Sequence, residues 1–213
     1  MSAGLFVTLE GGEGCGKSTQ LDALARLAAD DDSPFASVVS CREPGGTALG
    51  EGVRALLFDR DADATDPAPT AELLLFAAAR AQLVAEVIQP ALDQGTLVIC
   101  DRYADSTTAY QHYGRGLERA LVDAVNAVAT GGLTPALTVL LDIEPTEGLA
   151  RSERRAQGSD YLEREDLAFH RQVRLGYLEL ATAQPERWLT LDATRPPLQI
   201  THAIWERMQA LAT

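Results

Sequence analysis

The chain has 213 residues, 46% of them hydrophobic and 23% charged, enough for one α/β domain with a real core and close to an average globular composition. A net charge of −13 argues against a duplex nucleic-acid binder, which would present a basic face, but leaves open a small phosphorylated ligand met by local cations. No run of 18 apolar residues exists, so no membrane span is expected, and the opening MSAGLFVTLE has no basic n-region of a secretory signal.

In chain order, the apolar run 5–10 (LFVTLE) predicts a buried strand, followed by a Gly-rich turn and a helix over about 17–29. DDDSP breaks that helix. A second strand is expected over 36–41, then the turn REPGGT and a helix through ALGEGVRALLF (48–58). DADATDPAP (61–69) reads as a polar loop, and 70–93 as one long Ala/Leu-rich helix. A third strand, 95–100, ends at Asp101; a helix over 117–129 and a fourth strand over 136–142 follow. A helix near Pro145 leads into the charged stretch RSERRAQGSDYLERED, then come a helix over 166–183, a fifth strand over 187–192 and a closing helix with proline near its first turn. Such alternation predicts a five-stranded parallel sheet covered by helices on both faces, a three-layer α/β fold built as one domain over 1–213. The three cysteines, Cys15, Cys41 and Cys100, are far apart and odd in number, which suits reduced thiols of a cytoplasmic protein.

Ligands of such sheets sit beyond the carboxyl ends of the strands, and three polar motifs lie there: 10–16, 42–47 and 101–111. Gly11, Gly16, Lys17 and Ser18 satisfy G-x-x-x-x-G-K-S between a strand and a helix, the context of a nucleoside-triphosphate loop. Backbone N–H groups and the helix N-terminus would face phosphate, Lys17 would reach the β/γ-phosphates, and Ser18 would hold Mg²⁺. No N-K-x-D segment supports a GTPase. Asp101, directly after the third strand, is placed to be a second metal carboxylate. Arg42 and Arg102 follow two strands; if those strands are neighbours, two guanidinium forks meet in one cleft, as a second phosphate group needs. Glu43 would be the candidate base if the acceptor were a neutral hydroxyl. Phe76 and Arg80 are i and i+4 on a helix and share a face. The loop carries no arginine, but Arg151 and Arg155 lie four apart beside a Gly158–Ser159 break, the pattern of a lid (151–166) that closes cations over a transferring group.

The loop with its acid at Glu13, REPGGT (42–47), LLLFAAAR (73–80), DRYADSTTAYQ (101–111), the arginines of 151–155 and LDATRPP (191–197) together resemble thymidylate kinase over nearly the whole chain. The resemblance implies a P-loop NTPase-type fold and transfer of phosphate from ATP to dTMP with Mg²⁺. It implies ATP on the loop residues Gly11, Gly12, Glu13, Gly14, Cys15, Gly16, Lys17, Ser18 and Thr19, and the metal on Ser18 and Asp101. The dTMP phosphate would lie on Arg42 and Arg102, with Phe76 stacked on thymine, Arg80 on its O4 edge, and Pro44, Ser106, Thr107, Tyr110 and Gln111 around base and sugar. Glu13 would face the sugar 3′-hydroxyl or the metal. Lys17, Arg102, Arg151 and Arg155 would carry the transition-state charge, the bacterial arrangement with arginine in the lid. LDATRPP would wrap adenine, and a homodimer is implied. One departure stands out: Tyr161 occupies a lid position often arginine in the family.

Overall fold

The structure, a computed structural model, describes residues 4–59, 65–154 and 161–212. Five strands form one parallel sheet: β1 (Phe6–Glu10), β2 (Val38–Arg42), β3 (Leu97–Asp101), β4 (Leu137–Asp142) and β5 (Trp188–Asp192), in the order β2-β3-β1-β4-β5. The central strands are apolar on both faces because helices cover both. Val7, Leu9, Leu97, Ile99, Leu137, Val139 and Leu141 are fully enclosed. One core layer lies under α1 (Lys17–Ala28) and α9 (Pro197–Ala212), where Leu24, Ile204 and Met208 meet the sheet.

The opposite face carries α2 (Ala48–Phe58), α3 (Pro69–Leu83), α6 (Arg119–Thr130) and α8 (Leu167–Ala183), with α7 (Pro145–Glu153) at the strand ends. Thr47 caps α2, its hydroxyl accepting the Gly50 N–H at 2.9 Å, and Asp166 caps α8 by accepting the Phe169 N–H at 2.8 Å.

Two helices differ from expectation. The segment predicted as one helix over 70–93 runs as α3, a π-helical turn (Val84–Ile88) and α4 (Gln89–Asp93). Pro90 explains the break, since it lacks an N–H and its ring would clash with the carbonyl one turn back. The segment 104–114, for which no element was expected, is α5 (Ala104–Thr107) continued as a π-helical turn over Thr108–Gly114. Its run of Asp, Ser and two threonines favours caps and turns by local propensity. Tertiary contacts override that: Thr107, Ala109, Tyr110 and Gln111 are all buried.

β2 and β3 are neighbours, in a register that sets Arg42 beside Asp101. The two arginine-bearing strand ends therefore open on the same cleft.

Candidate active site

The loop between β1 and α1 turns through Gly11, Gly14 and Gly16, all at positive φ (139°, 64° and 98°). At Gly14 glycine is required twice over. A Cβ there would lie 2.0 Å from the Gly148 carbonyl oxygen of α7, so the loop packs directly on α7. That contact explains physically why the loop carries no arginine at 14. Lys17 is buried, and its ammonium donates to the carbonyls of Gly11 (3.1 Å) and Gly12 (2.9 Å) and to Cys15 Sγ (3.3 Å). Ser18 Oγ lies 3.4 Å from Asp101 Oδ2, so the two predicted metal groups meet across the cleft.

Arg102 is the one non-glycine residue at positive φ (70°) among the described residues, a sparsely populated conformation kept where the surroundings over-determine it. They do so here. One of its terminal nitrogens donates to Gly11 O (3.1 Å), Ser106 Oγ (3.3 Å) and Tyr177 Oη (3.2 Å), the other to Glu13 Oε1 (2.7 Å) and Tyr110 Oη (3.0 Å). Gly11 O thus serves both Lys17 and Arg102. Glu13 also accepts the Tyr110 hydroxyl at 2.5 Å. Burial pushes the Glu13 carboxyl up, but Arg102 beside it, then Lys17 and the Tyr110 hydroxyl, outweigh burial and hold it at about 2. The acid in the loop is therefore the counter-ion of Arg102.

Behind Arg102 lies a second acid, Glu10, which sequence reasoning missed. It is fully enclosed and accepts from Tyr103 N–H (2.8 Å), Ser106 Oγ (2.6 Å) and Tyr177 Oη (3.1 Å). Burial first, then the nearby Asp105 carboxylate, push its carboxyl up to about 8. Its one signal in the sequence was an acid ending a central, otherwise enclosed strand.

The loop and Arg102 border one cavity of about 310 Å³. Its floor is Glu13–Ser18 with Asp101 and Arg102; Arg42, Glu43 and Pro44 form one wall, and Ser106, Thr107, Tyr110 and Gln111 another. Phe76 and Arg80 reach it from α3 as the i, i+4 spacing predicted. Arg42 is half exposed and pairs with Glu51 at 3.1 Å. Arg80 is nearly sealed: it donates to Glu43 (2.6 Å), Asn126 Oδ1 (2.9 Å), Tyr103 O (3.1 Å) and Thr107 Oγ1 (2.9 Å). Glu43 takes both Arg80 bonds on Oε2, while its buried Oε1 accepts none among the described residues; the ion pair counts against its use as a base. Arg54 and Phe58 of α2 also line the cavity, the Arg54 guanidinium 5.0 Å over the Phe58 ring; nothing in the sequence singled them out.

Three loop positions and one lid arginine lie elsewhere. Gly11 and Gly12 give their carbonyls to Lys17 and do not line this cavity. Thr19 lines a second cavity of about 310 Å³, with Gly16, Gln20, Arg151 and the loop 193–197, so LDATRPP lies beside the phosphate loop as expected of an adenine wall. Arg151 donates to Ala193 O at 2.9 Å and to Glu147 at 2.6 Å, and stays on this side rather than over Lys17. Arg155, Gly158 and Ser159 lie outside the described residues. Tyr161 is buried, its hydroxyl donating to Glu72 at 2.7 Å and its ring 5.7 Å from Phe58, so it packs on the α2–α3 side.

A family model described as Thymidylate kinase matches residues 9–204. Among curated proteins, the thymidylate kinase of Deinococcus radiodurans is 54% identical over 205 residues, covering 96% of both chains. That of Thermosynechococcus vestitus is 48% identical, covering 98% of this chain and 88% of the relative. Among solved structures, the thymidylate kinase from Ehrlichia chaffeensis superposes with a TM-score of 0.73 at 32% identity, over 99% of each chain. A G-x-x-x-x-G-K-S loop, two strand-end arginines and the Phe76 and Arg80 side chains of α3 on one cavity thus coincide with full-length likeness, and the chain belongs to the thymidylate kinase family.

Proposed function

We propose that the 310 Å³ cavity is where this chain takes dTMP, and that the loop from Gly11 to Thr19 with the cavity beside Arg151 takes ATP. The reaction is transfer of the γ-phosphoryl group of ATP to dTMP, giving ADP and dTDP. The observation that carries the site reading is the convergence of Lys17, Arg42 and Arg102 with Phe76, Arg80 and Gln111 on one cavity. Phosphate at one end and a flat, hydrogen-bonding base at the other is the chemistry of a nucleoside monophosphate.

In this reading the acceptor phosphate lies on Arg42 and Arg102, displacing Arg42 from Glu51. Already an anion, it needs no base, so catalysis reduces to in-line positioning and pre-placed charge. Lys17 and Arg102 hold the two phosphates toward one another from opposite sides of the Gly11 carbonyl. Arg151 flanks the donor and Arg155 completes the lid's cations. Phe76 stacks on thymine. The Nη1 hydrogen of Arg80 that Asn126 does not take is the donor left for O4. Tyr110 and Glu13 close on the sugar.

Among the described residues no group of three His, Cys, Asp or Glu side chains could cage a metal. Ser18 and Asp101 supply two hard oxygens, which fits Mg²⁺, an ion that completes its shell with phosphate oxygens and water. It would neutralise charge on the donor phosphates.

A panel of monophosphates with ATP and Mg²⁺ tests the reading: dTMP should show the highest kcat/KM, with thymidine itself inert. A higher kcat/KM for another monophosphate would overturn the base assignment, and turnover of thymidine the arginine fork.

The homodimer belongs to the same proposal. Leu56 of α2, Leu74 of α3 and Val128 of α6 are 65%, 54% and 85% exposed on helices packed side by side, an apolar face suited to a second copy. Light scattering should give twice the chain mass; a monomer at micromolar concentration counts against it. The cytoplasm is the proposed location, on the three unpaired thiols. No described helix is long and apolar enough to cross a membrane.

A further inference from the structure

Glu72 of α3 is fully enclosed, does not line the cavity, and has no part in the reading above. Its Oε1 accepts from Gln111 Nε2 (2.9 Å) and Arg115 Nε (3.2 Å), and its Oε2 from Arg115 Nη2 (3.1 Å) and the Tyr161 hydroxyl (2.7 Å). Arg115 also pairs with Glu165. With Arg115 for its charge and three donor side chains for its lone pairs, this carboxylate is held in one orientation.

The consequence falls on Gln111. Both Glu72 oxygens accept, and Gln111 turns its NH₂ toward them. Its carbonyl Oε1 is then the end left for the cavity that Gln111 lines, and among the described residues no side chain or backbone group donates to it. An acceptor fixed there suits a base with a ring N–H. Thymine and uracil have one at N3. Cytosine has a lone pair at N3, which would face the carbonyl oxygen unpaired.

We infer that Glu72 is a specificity-determining positioning residue, which locks the Gln111 amide so that the site accepts imide pyrimidines and rejects cytosine. The inference rests on the reading of Gln111 as part of the base wall. The same carboxylate anchors the far end of the lid through Tyr161 and, via Arg115, Glu165.

The test compares wild type with E72Q, E72D and Q111L on dTMP and dCMP. In E72Q the new amide can donate to Gln111 Oε1, freeing Gln111 to flip its NH₂ toward the base. The KM for dTMP should rise about tenfold with kcat within about threefold, and the dTMP:dCMP ratio of kcat/KM should fall by about 10²-fold, within what one unpaired buried polar group commonly costs in discrimination. E72D keeps the charge but withdraws the oxygens, and should narrow the ratio in the same direction; it is read alone if E72Q does not fold. A merely structural role would lower kcat and the amount of folded enzyme without moving the ratio. An unchanged ratio in the folded Glu72 variants, while Q111L narrows it, overturns the inference. An unchanged ratio in Q111L removes instead the base-wall reading beneath it.

Discussion

Replacing Lys17 by alanine should lower kcat by at least about 10³-fold, about 4 kcal/mol of transition-state stabilisation, the upper range for removing one pre-placed donor from a developing oxyanion. The ammonium is buried against Gly11 O, Gly12 O and Cys15 Sγ. Its three hydrogens thus have three acceptors, and a triphosphate has only to exchange carbonyl oxygens for phosphate oxygens around a charge already in place. Arginine is no substitute. Its planar fork cannot point three donors at a common corner, so Lys17→Arg should lose nearly as much as Lys17→Ala. Single-turnover measurement with saturating dTMP separates chemistry from product release. The KM for dTMP should stay within about threefold, because Lys17 serves the donor side. A loss in kcat under tenfold would show that charge from the lid, and not the loop lysine, dominates the transition state.

The sheet was legible for a plain physical reason. Strands enclosed on both faces are written as continuous apolar runs, and LVIC and TVLL lie in β3 and β4 with every residue buried. The loop glycines and the strand-end arginines were legible because backbone conformation and strand position are local properties. Their partners were not. Gln111 finds Glu72 across 39 residues of sequence, and Tyr177 finds Glu10 across 167. No periodicity encodes such pairs: Glu10 ends a strand, Glu72 sits in the first turn of α3 and Tyr177 lies within α8, and none of those positions names a partner. The π-helical turn over Thr108–Gly114 was hidden for a related reason. Its threonine and closing glycine, after the Asp-Ser-Thr run before it, give no helical signal, and packing against α8 and α6, which buries Thr108–Gln111, holds it in place. Legibility therefore fell off at the second layer, where side chains hold the ones that meet the ligand. Glu13 shows the same limit: its place in the loop was plain, but its role as counter-ion to a residue 89 positions away was not.

That pairing sets the second large expectation. Arg102→Ala should lower kcat/KM for dTMP by about 10³-fold, about 4 kcal/mol, within the cost of truncating one partner of a partly buried, hydrogen-bonded charge pair. Two effects combine. The fork that would meet the acceptor phosphate is lost, and Glu13, whose carboxyl is held at about 2 largely by Arg102, becomes a bare carboxylate where an anion must enter. The donor side should be spared, with the KM for ATP within about threefold, because Lys17 keeps its own acceptors. Arg102→Lys should recover little. A single ammonium cannot span Glu13 and Tyr110 on one side and Ser106 and Tyr177 on the other, as the guanidinium does. Removing the stranded acid as well should help: Arg102→Ala with Glu13→Ala should regain about tenfold over Arg102→Ala alone, the coupling expected of two groups in direct contact. Steady-state kinetics with each substrate varied in turn would measure both quantities. If ATP and dTMP lost affinity equally in Arg102→Ala, Arg102 would be a strut of the phosphate loop and not the acceptor's clamp. If the double variant were no better than the single, repulsion by Glu13 would play no part, and the left-handed backbone at 102 would be serving the fork alone.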